Sequence, residues 1–244
     1  MNKTLDKLFD ELWPICRSVA GPGFDKSLNI LKKHIPFKII KIKTGKKVYD
    51  WKTPKEWELV SAELFTEKGK LILSTKETNL HVLNFSDPYS GLVSYEELSK
   101  HLYSNRELPD AVPYVTSYYK NNWGLCISHN KRKKLNKKIK YKVKIKTIKK
   151  NGFLKYGSHF LKGKSKETII ITSYLCHPSM ANNELSGPLA MVALYKKILN
   201  LKVRHFNYHF LIWPETIGAI SFLANTKKNE INNIFAGLVL SCLG

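Results

Sequence analysis

Three short apolar runs alternate with two helical patterns between Thr168 and Cys242, and no other feature restricts the fold as much. Residues 168–174, with Ile169, Ile170 and Ile171 in succession, read as a buried strand. Over 184–199 the apolar residues Leu185, Leu189, Val192, Leu194 and Ile198 mark an amphipathic helix. A second strand is expected over 208–213, a helix over 217–224 and a third strand over 235–242. Strand, helix, strand, helix, strand predicts crossover connections and a parallel sheet, and in such sheets ligands sit beyond the carboxyl ends of the strands.

Two polar residues stand at those ends. His177 follows the first strand in Cys176-His177-Pro178-Ser179, and Glu215 follows the second in Trp213-Pro214-Glu215-Thr216. An imidazole and a carboxylate converging there suit zinc, which takes nitrogen and oxygen ligands and keeps an open position when it is catalytic. A histidine in that place is also, and more often, a satisfied loop residue. The loop 181–187, with Asn182, Asn183, Glu184 and Ser186, covers the same cleft, although Asn and Ser also serve as ordinary helix caps.

Upstream, Leu5, Leu8, Phe9, Leu12 and Ile15 share one helical face, and Gly21-Pro22-Gly23 ends that helix. A short helix is predicted over 25–34 with Asp25 as its N-cap and Leu28, Leu31 and Ile35 on its buried side, then a strand over 37–43. From Val48 the texture changes to short strands, turns and aromatic clusters, which places an inserted β-rich (α+β) unit over 46–130. Asp50, Trp51, Glu56 and Trp57 read as the aromatic core of that insert in preference to a sugar-binding platform. Within 131–150, Tyr141, Val143, Ile145 and Thr147 alternate with lysines, the period of a half-exposed surface strand whose lysines discourage edge pairing. Tyr156-Gly157-Ser158 is assigned a turn, and His209 a hydrogen-bonded place in the core. The fold class expected is α/β: a mostly parallel sheet over 1–45 and 131–244, interrupted by the insert.

The net charge of +22 raises nucleic acid as a partner. Only Arg17, Arg106, Arg132 and Arg204 are arginines, however, and a sequence dominated by Lys, Ile and Asn reflects AT-rich coding, so nucleic acid is disfavoured. Cys16, Cys126, Cys176 and Cys242 are scattered without a C-x-x-C pair and read as free thiols. No apolar run approaches the roughly 20 residues that cross a bilayer, and a cytoplasmic protein is expected.

Several motifs recur in a fixed order: Trp13-Pro14-Ile15-Cys16-Arg17, Gly21-Pro22-Gly23, Val48-Tyr49-Asp50-Trp51 and Pro54-Lys55-Glu56-Trp57. Pro113-Tyr114, Tyr118-Tyr119, Trp123-Gly124, Cys176-His177-Pro178-Ser179, Asn182 to Gly187 and Pro214-Glu215-Thr216-Ile217-Gly218 follow. In this the chain resembles bacterial aminopeptidase-like proteins with an inserted domain of unknown function, often encoded beside surface-polysaccharide or flagellar-modification genes. The resemblance implies a partial aminopeptidase-like α/β/α core, similar to that of di-zinc enzymes in which a histidine, a bridging aspartate and a glutamate pair bind metal and activate water.

By that resemblance His177 matches the first metal ligand, and Glu215 the glutamate of the pair, as ligand or catalytic base. Asn183 falls where the family has its bridging aspartate, and an amide brings no negative charge to a pair of cations, so the implied zinc site is incomplete. Thr216 stands where di-zinc enzymes have a second glutamate, which is the family's own pattern. The implied activity is a zinc-dependent hydrolysis of a peptide or amino-sugar amide, and the alternative is a non-catalytic scaffold in surface-glycan biosynthesis. The family continues past the position of Gly244 with further strands and ligands, so a truncated chain is expected, whose exposed sheet edge favours homo-oligomers.

Overall fold

The computed structural model describes residues 3–243, which divide into two compact units. One takes in the chain up to Glu56 and again from Lys150, and the other spans Trp57–Lys149. These limits lie at 56/57 and 149/150 where the sequence drew 46 and 130. The lysine-rich segment accounts for the later boundary, because its strand Lys140–Lys150 is hydrogen-bonded into the sheet of the second unit.

The first unit is built on a five-stranded sheet in the order Lys38–Lys43, Phe153–Leu161, Asn207–Trp213, Thr168–Tyr174 and Ile234–Val239. Thr168–Tyr174 runs parallel to both of its neighbours, as the alternating pattern predicts. The two strands on the other side run antiparallel, so the sheet is mixed. Successive residues of the central strands face opposite sides. Ile171, Phe210 and Ile212 meet Leu8, Leu12, Phe24, Leu28, Leu31, Met191 and Val192 from helices Lys3–Leu12, Pro22–Lys32 and Ser186–Leu199. Ile170, Leu211 and Trp213 meet Ile217 and Phe222 of helix Ile217–Asn225 on the other face. Both faces of the central strands are therefore covered, while the edge strand Ile234–Val239 is exposed from Phe235 to Val239, and each fully buried leucine contributes on the order of 1.5–3 kcal/mol.

Several local expectations change. Gly21-Pro22-Gly23 opens the second helix: Gly21 has φ 131° at the N-cap and Pro22 takes the first helical position. Proline suits that place because its missing N–H would have no helical partner. Asp25 is consequently inside the first turn, and its carboxylate pairs with Lys155. Tyr156-Gly157-Ser158 lies within strand Phe153–Leu161. A Cβ on Gly157 would come within 2.9 Å of Ile212, Leu28 and Phe37, so the glycine there allows close packing rather than a turn. Trp51 and Glu56 belong to the first unit, where Trp51 packs on the second core and Glu56 Oε1 accepts from Phe153 N at 3.1 Å. Trp57 alone of the four is buried in the insert, donating from Nε1 to Ser86 O at 2.9 Å.

The second unit contains a four-stranded sheet ordered Leu71–Ser74, Glu56–Thr66, Lys140–Lys150, Tyr89–Ser94. Tyr141, Val143, Ile145 and Thr147 are buried, as their spacing predicts. The strand lies between two partners, so its lysines do not guard an edge; Lys140, Lys142 and Lys146 form the exposed face of an internal strand. Among the described residues no helix is long and apolar enough to cross a membrane.

Candidate metal centre

Tyr174 is paired with Trp213 at the carboxyl ends of two parallel strands. That register brings together the residues that follow them. His177 is buried and Glu215 is half exposed, and His177 Nε2 lies 3.2 Å from Glu215 Oε2. The turn that presents Glu215 is tight: Ile217 N donates to Glu215 O at 2.7 Å across Thr216, whose φ of 60° and ψ of −70° are unfavourable for a β-branched residue. Strain of this kind collects at functional sites. Ser179, in the loop after His177, also has a positive φ, of 51°.

The other side of the imidazole is held by residues of the following turn. Residues Ala181–Leu185 form a π-helical turn ahead of helix Ser186–Leu199, a widening common at functional sites. It turns Glu184 inward. The Glu184 side chain is buried; its Oε1 accepts from His177 N at 2.9 Å and its Oε2 lies 3.0 Å from His177 Nδ1. Asn183 is exposed, with Oδ1 3.1 Å from the same Nδ1. The helix can start so close to the sheet because residue 187 is glycine: a Cβ there would sit 2.2 Å from Leu240 O and 2.4 Å from Ser173 Oγ.

Arg17, fully buried, fixes the backbone from below. Its Nε donates to His177 O at 3.1 Å and its Nη1 to Leu12 O at 2.6 Å, which ties the first helix to the loop. Tyr174 stands edge-on to His177 with ring centroids 5.6 Å apart, and its hydroxyl meets Ser241 Oγ at 2.6 Å. Burial lowers the basicity of His177, but the hydrogen bond and charge of Glu184, together with the charge of Glu215, outweigh it and raise the pKa above its ordinary value.

Cys176, His177 and Glu184 offer donor atoms within 4.8 Å of one another. Cys176 is fully buried, its thiol pKa is pushed well up by burial and then by Glu184, and its Sγ accepts from Glu215 N at 3.3 Å. It is packed as a core thiol. The open side of the site is that of Nε2 and Glu215. Two ligands of a tetrahedral zinc, each at about 2.0–2.1 Å, stand about 3.3 Å apart, so the Nε2 to Oε2 separation of 3.2 Å fits a shared ion. Behind it, the carboxylate on Nδ1 is the usual support of a metal-bound histidine.

Of the residues singled out in the sequence, His177, Glu215 and Asn183 thus converge. Arg17 and Glu184 join them, Glu184 from the loop 181–187 that the sequence places over the cleft. The π-helical turn aims Glu184 inward. Ser186 is the sole sequence signal nearby, and its hydroxyl bonds Asn182 O within the turn.

The comparisons agree with this architecture. A family model described as a domain of unknown function, DUF4910, matches residues 6–244. A Clostridium acetobutylicum protein named for polysaccharide biosynthesis and for an aminopeptidase-like domain is 40% identical over 237 residues, covering 97% of this chain and 54% of the relative. A crystal structure from Clostridium acetobutylicum, titled as a peptidase, is 39% identical with a TM-score of 0.93, covering 99% of this chain and 57% of that one. The zinc aminopeptidase of Bacillus subtilis has the same fold at 10% identity, with a TM-score of 0.65 over 98% of this chain and 68% of its own. The chain therefore spans little more than half the length of the Clostridium relatives it matches. On the family match and the Clostridium relative together, this chain belongs to the DUF4910 family, with an aminopeptidase-like α/β fold.

Proposed function

We propose that this chain carries a zinc-binding site of a hydrolase acting on an amide of a peptide or amino-sugar conjugate. The observation that supports it is the approach of His177 Nε2 to Glu215 Oε2 at 3.2 Å, with Glu184 behind the imidazole. Zinc bound there would supply a Lewis acid that polarises a carbonyl and makes water acidic.

The protein's own residues supply the rest. The oxygens of Glu184 and Asn183 face Nδ1 and hold its proton, so Nε2 is the nitrogen offered to the cleft, where a bound ion would replace the proton that the raised pKa favours. Glu215, half exposed and carried on the strained turn at Thr216, is placed to bind the ion or to take a proton from water and return it to the leaving amine. Arg17 holds the His177 carbonyl so that the loop does not shift when the cleft is filled. Tyr174 walls one side, and burial raises the pKa of its phenol, which keeps it a neutral donor.

One ion suits these residues better than two. Asn183 is neutral, and the neighbouring carboxylate of Glu184 is buried against His177 and turned from the cleft. The same substitution favours a second reading, a non-catalytic binding protein of surface-polysaccharide biosynthesis that uses the old cleft to hold a partner.

Elemental analysis of the purified chain separates the two. About one zinc per chain, lost in His177→Ala with the fold retained by circular dichroism, is the result expected of the hydrolase reading. No zinc in either protein after dialysis against zinc would overturn it in favour of the binding protein.

A further inference from the structure

Lysine supplies almost all of the positive charge, and of 41 Lys and Arg residues only four are arginine. Arg17 is buried against backbone, and Arg204 donates to Leu199 O at 3.2 Å. The remaining two, Arg106 and Arg132, converge within the second unit on one cavity of about 560 Å3, together with Lys133 and Lys137. Where lysine is the default cation, arginine at such a place is informative, because its planar fork matches the oxygens of a phosphoryl group.

Among the described residues, Arg132 is held in position by neutral groups. Its Nη2 donates to Ser99 O at 3.1 Å and Ser99 Oγ at 2.8 Å, and its Nη1 to Leu102 O and Ser104 Oγ. These acceptors take up the four Nη protons, so Arg132 offers the cavity its fixed charge and its Nε proton, and the fork that faces a ligand is that of Arg106. Ser99 Oγ, having accepted from Arg132, keeps its own proton for a further acceptor. Ser104 Oγ lies 3.1 Å from His129 Nδ1, which extends the polar floor.

No carboxylate lies among the described residues lining the cavity. Of the acids on neighbouring turns, Glu97 pairs with Lys100 at 2.8 Å, Glu77 with Lys131 at 3.7 Å, and Asp110 accepts from Asn130 Nδ2 at 2.7 Å. The basicity of His129 responds to this field. Its pKa is lowered by desolvation and then by Lys133, Arg106 and Arg132. The cavity falls within the roughly 300–1,000 Å3 typical of small-molecule sites and exceeds what a bare phosphate fills.

From this we infer that the second unit binds a small phosphorylated molecule, with the phosphoryl group met by Arg106, Lys133 and Lys137 beside the fixed charge of Arg132 and the hydroxyls of Ser99 and Ser104 facing the remainder. The concave shape and the oriented Arg132 distinguish it from the lysine face of strand Lys140–Lys150, which is the surface a polyanion would meet. The inference stands apart from the zinc reading, since none of these residues belongs to the first unit.

Isothermal titration of the full chain with inorganic phosphate and with glucose 1-phosphate, and with glucose as the neutral control, tests it. Saturable binding of a phosphate-bearing probe is expected, with no heat from glucose. The double variant Lys133→Gln/Lys137→Gln, whose side chains are exposed and whose melting should be unchanged, should bind about tenfold or more weakly, as loss of charge-assisted hydrogen bonds predicts. Tighter binding of glucose 1-phosphate than of phosphate identifies an organic ligand, and equal binding identifies the phosphoryl group as the whole determinant; both support the site. Absence of saturable binding, or equal binding by the variant, overturns it. So does tight binding of single-stranded DNA by a chain that binds neither small probe.

Discussion

Glu184 grips His177 at two points, accepting the backbone N–H through Oε1 at 2.9 Å and facing Nδ1 through Oε2 at 3.0 Å, from a side chain with no exposure to solvent. Replacing it by glutamine retains an acceptor for the backbone but removes the charge that orients the imidazole. Glu184→Gln should weaken zinc binding by roughly 10- to 100-fold while the backbone hydrogen bond survives. Competition for zinc against a chromophoric chelator reads this directly, and an unchanged affinity would mean that Glu184 supports the loop and nothing more.

Thr216 stores strain beside that pair. With φ 60° and ψ −70° it occupies a region open to glycine and costly for a β-branched residue. Thr216→Gly should raise stability by about 1 kcal/mol, the relief of strain exceeding the entropy that glycine adds to the unfolded chain. Denaturant unfolding measures it. If the strain serves to aim Glu215, the same variant should hold zinc less tightly despite its greater stability.

Gly187 lets helix Ser186–Leu199 approach the end of strand Ile234–Val239. The Cβ of Gly187→Ala would press on Leu240 O, a backbone atom that cannot rotate away. The variant should lose about 1–3 kcal/mol, the cost of overpacking a fitted contact. A melting curve that matched wild type would show the helix start to be free to shift.

His209 makes stability depend on pH. Its Nε2 meets Ser158 Oγ at 2.8 Å, and burial, then the neighbouring His159, lower its pKa from 6.5 to about 4. The folded state therefore resists a proton that the unfolded chain accepts. Stability is full above pH 6.5 and declines as the pH falls toward about 4, by at most about 3 kcal/mol. His159 shifts in the same direction and His177 in the opposite one, so the contribution of His209 is the difference between wild type and His209→Gln across that window. The wild type should lose more stability than the variant on acidification; parallel curves would assign the pH dependence to other groups.

Much of the frame was legible in the amino-acid pattern. Period-two and helical spacings located the strands at 168–174 and 208–213 and the helices that follow them, because side chains on a buried sheet or an amphipathic helix are constrained locally. The same spacing placed Tyr141, Val143 and Ile145 inward, and the strand-end rule put His177 and Glu215 in one cleft. What the chain could not show was register and turn geometry. That His177 and Glu215 meet at 3.2 Å depends on Tyr174 pairing with Trp213, a hydrogen-bond alignment between strands 39 residues apart. The inward aim of Glu184 depends on five residues adopting a π-helical turn, which carries no pattern of its own in the sequence. Arg17 reaches His177 O across 160 residues of chain, and Arg106 and Arg132 meet around a cavity made by the folding of the insert. Local patterns report which face of an element is apolar, whereas a site is made where distant elements converge, and only the tertiary structure decides that.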